Sequence, residues 1–350
     1  MADLDVAGRR AWVEEMGHPK MRAGQLSTHY FAHLTAAPAA MTDLPQNLRE
    51  HLAATFLPPL LTEVASREAD GGATVKTLFH LFDGAAIETV TMAYPDRVTV
   101  CVSSQAGCGM GCPFCATGKL GLRRNLSAAE MVEQVRLAAA LAQERELGRL
   151  SNVVFMGMGE PLANYGPLVR ALRAISEAPP AGLGISARNL TVSTCGLVPA
   201  MGQLAEEGLP VRLAVSLHAP DDEARNTLVP VNRRWGVAAV LGAAFAYHKA
   251  TARRVSVEYA LIRGINDQKW RASLLAERLT RYGTGWVHVN PIPLNPVEGS
   301  IWTASLPEVE ATFVETLREA GLTVTLRDTR GREIDGACGQ LAAKEENQDG

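Results

Sequence analysis

From residue 98 onward, segments with the hydropathy of a buried strand alternate with segments whose apolar residues recur at helical spacing. Ser127-Ala-Ala-Glu130 and Ser305-Leu-Pro-Glu308 have the form of capping boxes, which predict that a helix begins at each. Repeated βα units of this length predict an α/β fold whose parallel sheet curls into a complete or partial barrel. The predicted strands are Val98 to Ser103, Asn152 to Met156, Asn189 to Ser193, Arg212 to Leu217, Val255 to Ile262, Trp286 to Val289 and Leu322 to Leu326.

The chain before residue 98 lacks this alternation. Residues 1–66 have apolar side chains at helical spacing and no clustered acid, base or metal ligands, so we expect a helical accessory domain that acts as a binding or docking module. Residues 67–97 hold two strand patterns joined by Asp83-Gly84, which predicts a β-hairpin linker. Residues 98–343 then form the barrel with a C-terminal cysteine loop, and residues 344–350 form a polar tail.

Composition limits the setting in which this chain works. Its 350 residues, 47% of them apolar, suffice for a barrel-sized domain and a small one. No signal-peptide pattern and no membrane-length apolar run is present, so we expect a cytoplasmic protein without membrane contact. In that reducing compartment six cysteines indicate metal or redox chemistry and not a disulfide framework. The net charge of −3 predicts a monomer that contacts RNA only through local patches.

Three cysteines lie within eight residues, directly after the first predicted barrel strand. Cys108, Cys112 and Cys115 have the spacing C-x3-C-x2-C, and the glycines between them allow the loop to fold tightly. An iron–sulfur cube usually takes four thiolates, so three thiolates leave one iron open for a reaction. The alternative is a structural zinc loop that borrows Cys101 as its fourth ligand.

Polar and small residues follow the later strands, where a parallel barrel gathers its chemistry. Gly157-Met-Gly-Glu-Pro161 follows the second strand and is not a dinucleotide fingerprint, because Leu162 replaces the third glycine. Gly159 permits a ligand to approach the backbone, and Glu160 is an acceptor for an ammonium group, although a tight turn with a solvated carboxylate is the alternative. Weaker candidates, each equally compatible with a structural role, are Ser193, Ser216, Leu217, His218 and Asn295.

The remaining cysteines differ in their surroundings. Cys338 lies in a glycine-flanked loop, which suits a nucleophile or a covalent carrier, although a fourth cluster ligand and an ordinary surface thiol are the alternatives. Cys101 lies within the first barrel strand. Cys195 is interpreted as a buried thiol beside the site.

Taken together, these motifs resemble the RlmN family, the radical SAM adenine-C2 methyltransferases of 23S ribosomal RNA and transfer RNA. The resemblance covers nearly the whole chain and rests on the runs Cys101 to Cys115, Gly157 to Pro161, Ser216 to Pro220 and Thr329 to Leu341. It implies a partial (βα)6 radical SAM barrel with one [4Fe-4S] cluster on the three clustered cysteines. It further implies an S-adenosylmethionine (SAM) site made of Gly159, Glu160, Ser193, Ser216, Leu217, His218 and Asn295.

The resemblance also implies a mechanism that uses two SAM molecules per turnover. Cys338 takes a methyl group from the first SAM, and a 5′-deoxyadenosyl radical from the second abstracts hydrogen from that methyl group. The carbon radical adds to adenine C2, which is too electron-poor for ordinary methylation. Glu88 is the implied proton acceptor, and Cys101 resolves the RNA–protein adduct through a disulfide with Cys338.

The implied partners are the two RNA substrates and an electron donor such as flavodoxin with its reductase. We expect Arg123 and Arg124, next to the cluster loop, to contact RNA phosphates. Cys195 departs from the family pattern, in which serine is expected, and the chain stops soon after Cys338.

Three other functions compete with this interpretation. The closest is an adenine-C8 methyltransferase of the antibiotic-resistance type, which shares the cysteines, but the Thr-Arg-Gly-x-x-Ile-Asp run from Thr329 favours C2. The others are a radical SAM enzyme acting on a protein or small molecule, and a zinc-binding RNA module without catalytic activity.

Overall fold

The computed structural model describes residues 1–295 and 300–327, and the chain begins with a small helical unit. Asp5 caps the first helix by accepting the Gly8 N–H at 2.7 Å. Trp12 and the fully buried Phe56 join the first and last helices of the unit, edge to face, with 4.6 Å between ring centroids. The unit consists of α1 (Val6–Glu15), α2 (Met21–Ser27) with a π-helical continuation (Thr28–Ala32), and α3 (Arg49–Phe56).

The next segment is a three-stranded antiparallel meander formed by β1 (Thr62–Ala69), β2 (Thr74–His80) and β3 (Ala86–Tyr94). The predicted hairpin through Asp83-Gly84 is confirmed as the β2–β3 pair. Strand β1 is additional, and it begins within the segment for which only helices were predicted. Its residues are mostly exposed and include charged side chains, which is typical of an edge strand.

The predicted α/β barrel is confirmed, and it is partial. Six parallel strands, extended by the two-residue parallel strand β12 (Thr323–Val324), follow one another in the sheet. The described strand order is β1-β2-β3-β4-β7-β8-β9-β10-β11-β12, with no pairing between its two ends. All seven residues of β10 are buried, because helices cover one face of such a sheet and the barrel interior covers the other. The six strands are β4 (Arg97–Cys101), β7 (Leu150–Phe155), β8 (Leu190–Thr194), β9 (Arg212–Ser216), β10 (Val255–Leu261) and β11 (Val287–Pro293).

Further elements complete the described chain. A short antiparallel pair, β5 (Gln105–Gly107) and β6 (Leu122–Asn125), brackets the cysteine loop and α4 (Ala116–Leu120). The strand β12 (Thr323–Val324) runs parallel to β11. The remaining helices are α5 (Ala128–Glu144), α6 (Tyr165–Ser176), α7 (Val198–Glu206), α8 (Asp222–Leu228), α9 (Val237–Thr251), α10 (Lys269–Thr280) and α11 (Pro307–Glu319).

One of the two predicted capping boxes is confirmed and the other is wrong. Ser127 and Glu130 bond to each other's backbone N–H and start α5 as expected. The helix α11 instead has Leu306 at its N-cap, without a side-chain cap. The Ser305 hydroxyl donates to Asp267 Oδ2 at 2.7 Å. This side chain therefore bonds to a residue distant in the sequence instead of capping the helix. Among the described helices, none has the length and hydropathy needed to cross a membrane.

Candidate active site

The carboxyl ends of the parallel strands surround a cavity of about 220 Å³. It contains eight of the residues predicted from the sequence, contributed by the loops after β4 and β7 and by the ends of β8 and β9. The predicted residues that line it are Cys108, Cys112, Cys115, Gly159, Glu160, Ser193, Ser216 and His218. Other lining residues are Met110, Phe114, Met156, Gly157, Thr194, Cys195, Glu258, Ile292 and Arg327.

The cysteine loop is held tightly by its own backbone. The N–H of Cys108 donates to the carbonyl of Gly121 at 2.7 Å, and that of Cys115 donates to the carbonyl of Cys112 at 3.1 Å. Gly118 lies so close to the loop that a Cβ there would stand 2.7 Å from the Cys112 carbonyl oxygen. Any larger residue at that position would push the loop open.

Burial raises the pKa of Cys108 to about 11 and that of Cys112 to about 12, so these two thiols are protonated in the free protein. Within residues 1–295 and 300–327, no three His, Cys, Asp or Glu side chains converge closely enough to ligate one metal ion. In an iron–sulfur cube each thiolate binds a different iron, so three thiols spaced around one cavity fit a cluster, which would displace their protons.

The loop after β7 places the buried Glu160 in the lining of the cavity. One carboxylate oxygen accepts the Leu162 N–H at 3.1 Å and the other accepts the Cys195 N–H at 2.8 Å, and burial raises the pKa of the group. Gly159 has φ +101°, and a Cβ there would lie 2.5 Å from Gln105 Cβ, so only glycine fits. The oriented carboxylate retains lone pairs for a donor on a ligand, as the ammonium hypothesis requires.

His218 is a neutral imidazole with a fixed tautomer. Its Nδ1 accepts the Ala260 N–H at 3.0 Å, which leaves its own proton on Nε2. Burial lowers the pKa of His218 to about 3, and Phe114 of the cysteine loop packs against the ring edge at 5.1 Å between centroids. His218 therefore serves as a hydrogen-bond donor and a packing surface, and not as a base that takes up a proton near neutral pH.

Two predicted SAM-site residues have side chains away from the cavity lining. Leu217 is fully buried in the core, and its backbone N–H donates to the Glu258 carbonyl of the neighbouring strand at 3.0 Å. Asn295 follows β11 and is half-buried, outside the set of residues that line the cavity. Their roles as SAM ligands stay predictions.

Cys101 and Glu88 share one face of the sheet, beside the cavity. Cys101 pairs with Val90 across β3 and β4, and Val90 pairs with Lys76 across β2, so these positions and Glu88, two residues from Val90, point to the same side. Thr89 on the opposite face bonds to Gln134 of α5, which identifies the Glu88 face as the barrel interior. Cys101 forms no disulfide with another described cysteine, and Cys338 lies outside the described residues.

Sequence reasoning missed Lys76 as the partner of Glu88. Its Nζ lies 2.8 Å from Glu88 Oε2, and both side chains are buried. A lysine in the buried strand β2 was a signal that a carboxylate must lie near it, because an unpaired buried ammonium group is very costly. The sequence alone does not identify which carboxylate pairs with Lys76.

Glu258 was also missed, although a carboxylate inside the apolar run of β10 is unusual. Its Oε1 accepts the Ser256 hydroxyl at 2.6 Å and the Asn290 amide at 3.0 Å. Its Oε2 is buried, accepts no hydrogen bond from residues 1–295 or 300–327, and lies 3.8 Å from Arg327 Nη1. Among the described residues that line the cavity, Glu258 thus presents an oriented carboxylate oxygen to which no described donor bonds.

The two arginines predicted to contact phosphate are already engaged. Arg124 donates to both oxygens of Glu130, at 2.7 and 2.9 Å, and to Asp83 Oδ2 at 2.8 Å. Arg123 donates to the carbonyl of Asp83 at 3.1 Å. Arg124 is therefore a structural link between the β2–β3 hairpin and α5, and its contact with phosphate stays a prediction.

This site on an open α/β barrel defines the class of protein. Residues 102–276 match the family model of the Radical SAM superfamily, so the chain is a radical SAM enzyme, a class whose members use SAM and an iron–sulfur cluster. A radical SAM methyltransferase of Sphaerobacter thermophilus superposes with a TM-score of 0.92 at 46% identity, covering 97% of this chain and 98% of that one.

Relatives of known class then identify the family. The chain is 59% identical to a probable dual-specificity RNA methyltransferase RlmN of Bifidobacterium adolescentis, over 98% of this chain and 90% of the relative. It is 61% identical to the protein of the same description from Bifidobacterium longum, over 98% of this chain and 89% of that one. The chain belongs to the RlmN family of radical SAM RNA methyltransferases, as the sequence motifs predicted, and the C8 alternative is not favoured.

Proposed function

We propose that this enzyme methylates C2 of one adenine in 23S ribosomal RNA and in transfer RNAs. The observation that supports this most directly is the single cavity that joins three loop thiols, Glu160 and His218 in a chain so similar to RlmN relatives. A [4Fe-4S] cluster, held by Cys108, Cys112 and Cys115, would supply the electron for reductive SAM cleavage. Two SAM molecules would be used in each turnover.

The residues of the cavity provide the means to hold SAM. Glu160 accepts hydrogen bonds at both oxygens from the backbone, which orients it to take another from the SAM ammonium group. Ser193 donates to the Phe155 carbonyl at 2.6 Å and keeps acceptor capacity for a ligand. Leu217 and Asn295 complete the proposed set, the first through its backbone.

Glu88 and Cys101 are proposed to act after carbon–carbon bond formation. The ammonium group of Lys76 holds Glu88 in place on the interior face that Cys101 shares. From there Glu88 would accept the adenine C2 proton. The Cys101 thiolate would then attack the sulfur of Cys338, the proposed methyl carrier, so that a disulfide forms as the sulfur–carbon bond to the RNA breaks and the released carbon takes up a proton to become the methyl group. Reduction of that disulfide then returns both thiols.

The proposal extends to the domain organisation, the cellular compartment and the electron donor. Residues 1–66 would act as an RNA-binding accessory domain, followed by the 67–97 linker, the 98–343 barrel and the 344–350 tail. The enzyme would work in the cytoplasm as a monomer, with flavodoxin and its reductase as the type of electron donor.

Mass spectrometry of nucleosides tests the reaction. Reconstituted protein, SAM and a reductant are incubated anaerobically with 23S ribosomal RNA that lacks the modification, and we expect 2-methyladenosine. Cys338→Ala should give no methylated nucleoside, whereas Cys101→Ala should accumulate protein covalently joined to RNA, because only the second step is lost. Formation of 8-methyladenosine would assign the C8 reaction instead. Methylation by the Cys338→Ala variant would show that Cys338 is not the methyl carrier.

A further inference from the structure

Arg225, on α8, is a fully buried cation below the cavity. Its guanidinium donates to the carbonyls of Leu217 at 2.9 Å and Ser216 at 3.3 Å, and to that of Cys195. It also donates to Asn232 Oδ1 at 2.7 Å. One side chain thus joins the segments that follow β8 and β9, both of which line the cavity.

All these acceptors are neutral. In the described part of the chain, no carboxylate lies within ion-pair distance of Arg225, and Asp222 reaches it only through Asn232, whose amide donates to Asp222 Oδ1 at 3.0 Å. Burial of a charge without a direct counter-ion is costly, and desolvation lowers the pKa of Arg225 accordingly. A negative group that the free chain does not provide would offset this cost.

The cysteine loop, which would carry a negative cluster, packs against the helix of Arg225. Ala224 and Leu228, on either side of Arg225 in α8, belong to a small apolar cluster against which Met110, Cys112 and Phe114 pack. Arg225 also donates to the carbonyls of Cys195 and Ser216, two residues that line the same cavity as Cys112. Three thiolates on a cluster would give this region a net negative charge that increases on reduction.

We propose that Arg225 is a positioning residue that supplies the counter-charge of the cluster and raises its reduction potential, while holding the strand ends that line the SAM site. This inference rests on the proposed function, because it requires a cluster on the three thiols. The sign follows from Coulomb attraction: a fixed positive charge stabilises the reduced, more negative cluster more than the oxidised one. In a buried site that effect is little screened by salt.

A redox titration of the cluster, monitored by electron paramagnetic resonance in the absence of SAM and RNA, tests whether the charge of Arg225 raises the reduction potential. Arg225→Gln should make one-electron reduction at least tenfold less favourable, a negative shift of 59 mV or more. Arg225→Lys keeps the charge and should shift the midpoint by less than half as much. Arg233→Gln, the same charge change at an exposed position nearby, should leave it unchanged. Equal shifts in the Gln and Lys variants, or no shift in the Gln variant, would overturn the proposal.

A second variant keeps Arg225 and moves a nearby carboxylate into direct contact with it. The exchange Asp222→Asn with Asn232→Asp preserves net charge and the polar contact between the two side chains, and it puts a carboxylate where Arg225 Nη1 now meets an amide oxygen. The midpoint should again shift in the negative direction, because a direct ion pair cancels the field of Arg225. An unchanged midpoint with full iron content contradicts the proposal even if Arg225→Gln fails to fold.

These readouts separate the proposal from the proposed function. Iron and sulfide content and the midpoint potential need no RNA and no methyl transfer. A wild-type protein that takes up no cluster would defeat the proposed function, whereas a loaded wild type with potentials insensitive to position 225 would defeat only this inference.

Discussion

At the scale of single residues, Glu258 differs from Glu160, the other carboxylate in the described cavity lining, because its Oε2 accepts no hydrogen bond from a described residue. A buried acceptor left without a partner costs about 1–3 kcal/mol, so the folded protein gains when a ligand donor reaches Glu258 Oε2. A ribose hydroxyl of SAM has the required chemistry. Because Ser256 and Asn290 fix Oε1, the free oxygen points in one direction only.

We therefore expect Glu258→Gln to weaken SAM binding roughly tenfold, which corresponds to ~1.4 kcal/mol. The glutamine amide oxygen would keep the contacts of Oε1 and would present an NH₂ group to the cavity in place of an acceptor. Isothermal titration calorimetry with the cluster-loaded protein measures the change. Unchanged SAM affinity combined with weaker RNA binding would instead assign the oxygen to the RNA substrate.

His218 makes stability depend on pH. Burial lowers its pKa from 6.5 in the unfolded chain to about 3 in the folded protein, so below pH 6.5 the unfolded state takes up a proton that the folded state refuses. Its contribution is fully present above pH 6.5 and is lost as the pH falls, by ~1.4 kcal/mol per pH unit toward pH 3.

His218→Gln should remove this dependence. The glutamine carbonyl can still accept the Ala260 N–H, and no imidazole remains to titrate. The fall in melting temperature of the metal-free protein between pH 7.5 and 5.5 should be smaller in the variant than in the wild type. Equal falls would show that His218 is protonated within the fold.

At the scale of elements, the tip of the β2–β3 hairpin is the clearest candidate for an RNA contact. Phe82 is 85% exposed, and Arg124 lies over its ring at 4.8 Å from the centroid. Arg123 bonds the hairpin tip to β6, next to the cysteine loop, so this ring lies near the loop that lines the cavity. Exposed aromatic rings stack on unpaired bases, at ~1–3 kcal/mol per base.

Phe82→Ala should therefore weaken RNA binding by roughly 5- to 100-fold, while Phe82→Trp should preserve it. Fluorescence anisotropy with unmodified RNA and without SAM measures binding apart from chemistry. Ile301→Ala is the matched control, because Ile301 is an apolar side chain of similar exposure, 87%, in another part of the chain. Equal losses in the Ile301 and Phe82 alanine variants would exclude stacking at the hairpin tip.

Elements also show what can be predicted from sequence. The parallel strands were predicted because strands buried on both faces are continuous apolar runs, and the cysteine loop because its ligands are local. Strand β1 was missed because an exposed edge strand has no such run. The capping box predicted at Ser305 was wrong because the Ser305 hydroxyl donates to Asp267, 38 residues away, and not to the start of the helix. Lys76 and Arg225 depend on distant partners in the same way, and no local pattern encodes those contacts.

At the scale of the whole molecule, the helical unit and the barrel share one continuous hydrophobic core and a buried polar contact. Tyr30 donates its hydroxyl to Glu133 Oε2 on α5 at 2.6 Å, and Arg136 binds both oxygens of Glu133, at 2.8 and 2.6 Å. Arg9 reinforces the contact by donating to the Ala181 carbonyl at 2.8 Å. The orientation of the proposed RNA-binding unit relative to the cavity is thus fixed by a few buried groups.

Substitutions at Tyr30 and at Glu133 should both loosen the attachment of the helical unit, and the effect should be larger at Glu133. Tyr30→Phe loses one hydrogen bond to a charged group, about 1.5–3 kcal/mol, while Arg136 still neutralises Glu133. Glu133→Leu leaves Arg136 buried without its counter-ion and should cost more, about 3–5 kcal/mol. Limited proteolysis between α3 and β1 should therefore accelerate slightly in the first variant and strongly in the second. If cleavage of both matched the wild type, the unit would be held by its apolar contacts alone, and the polar contact would not determine its orientation.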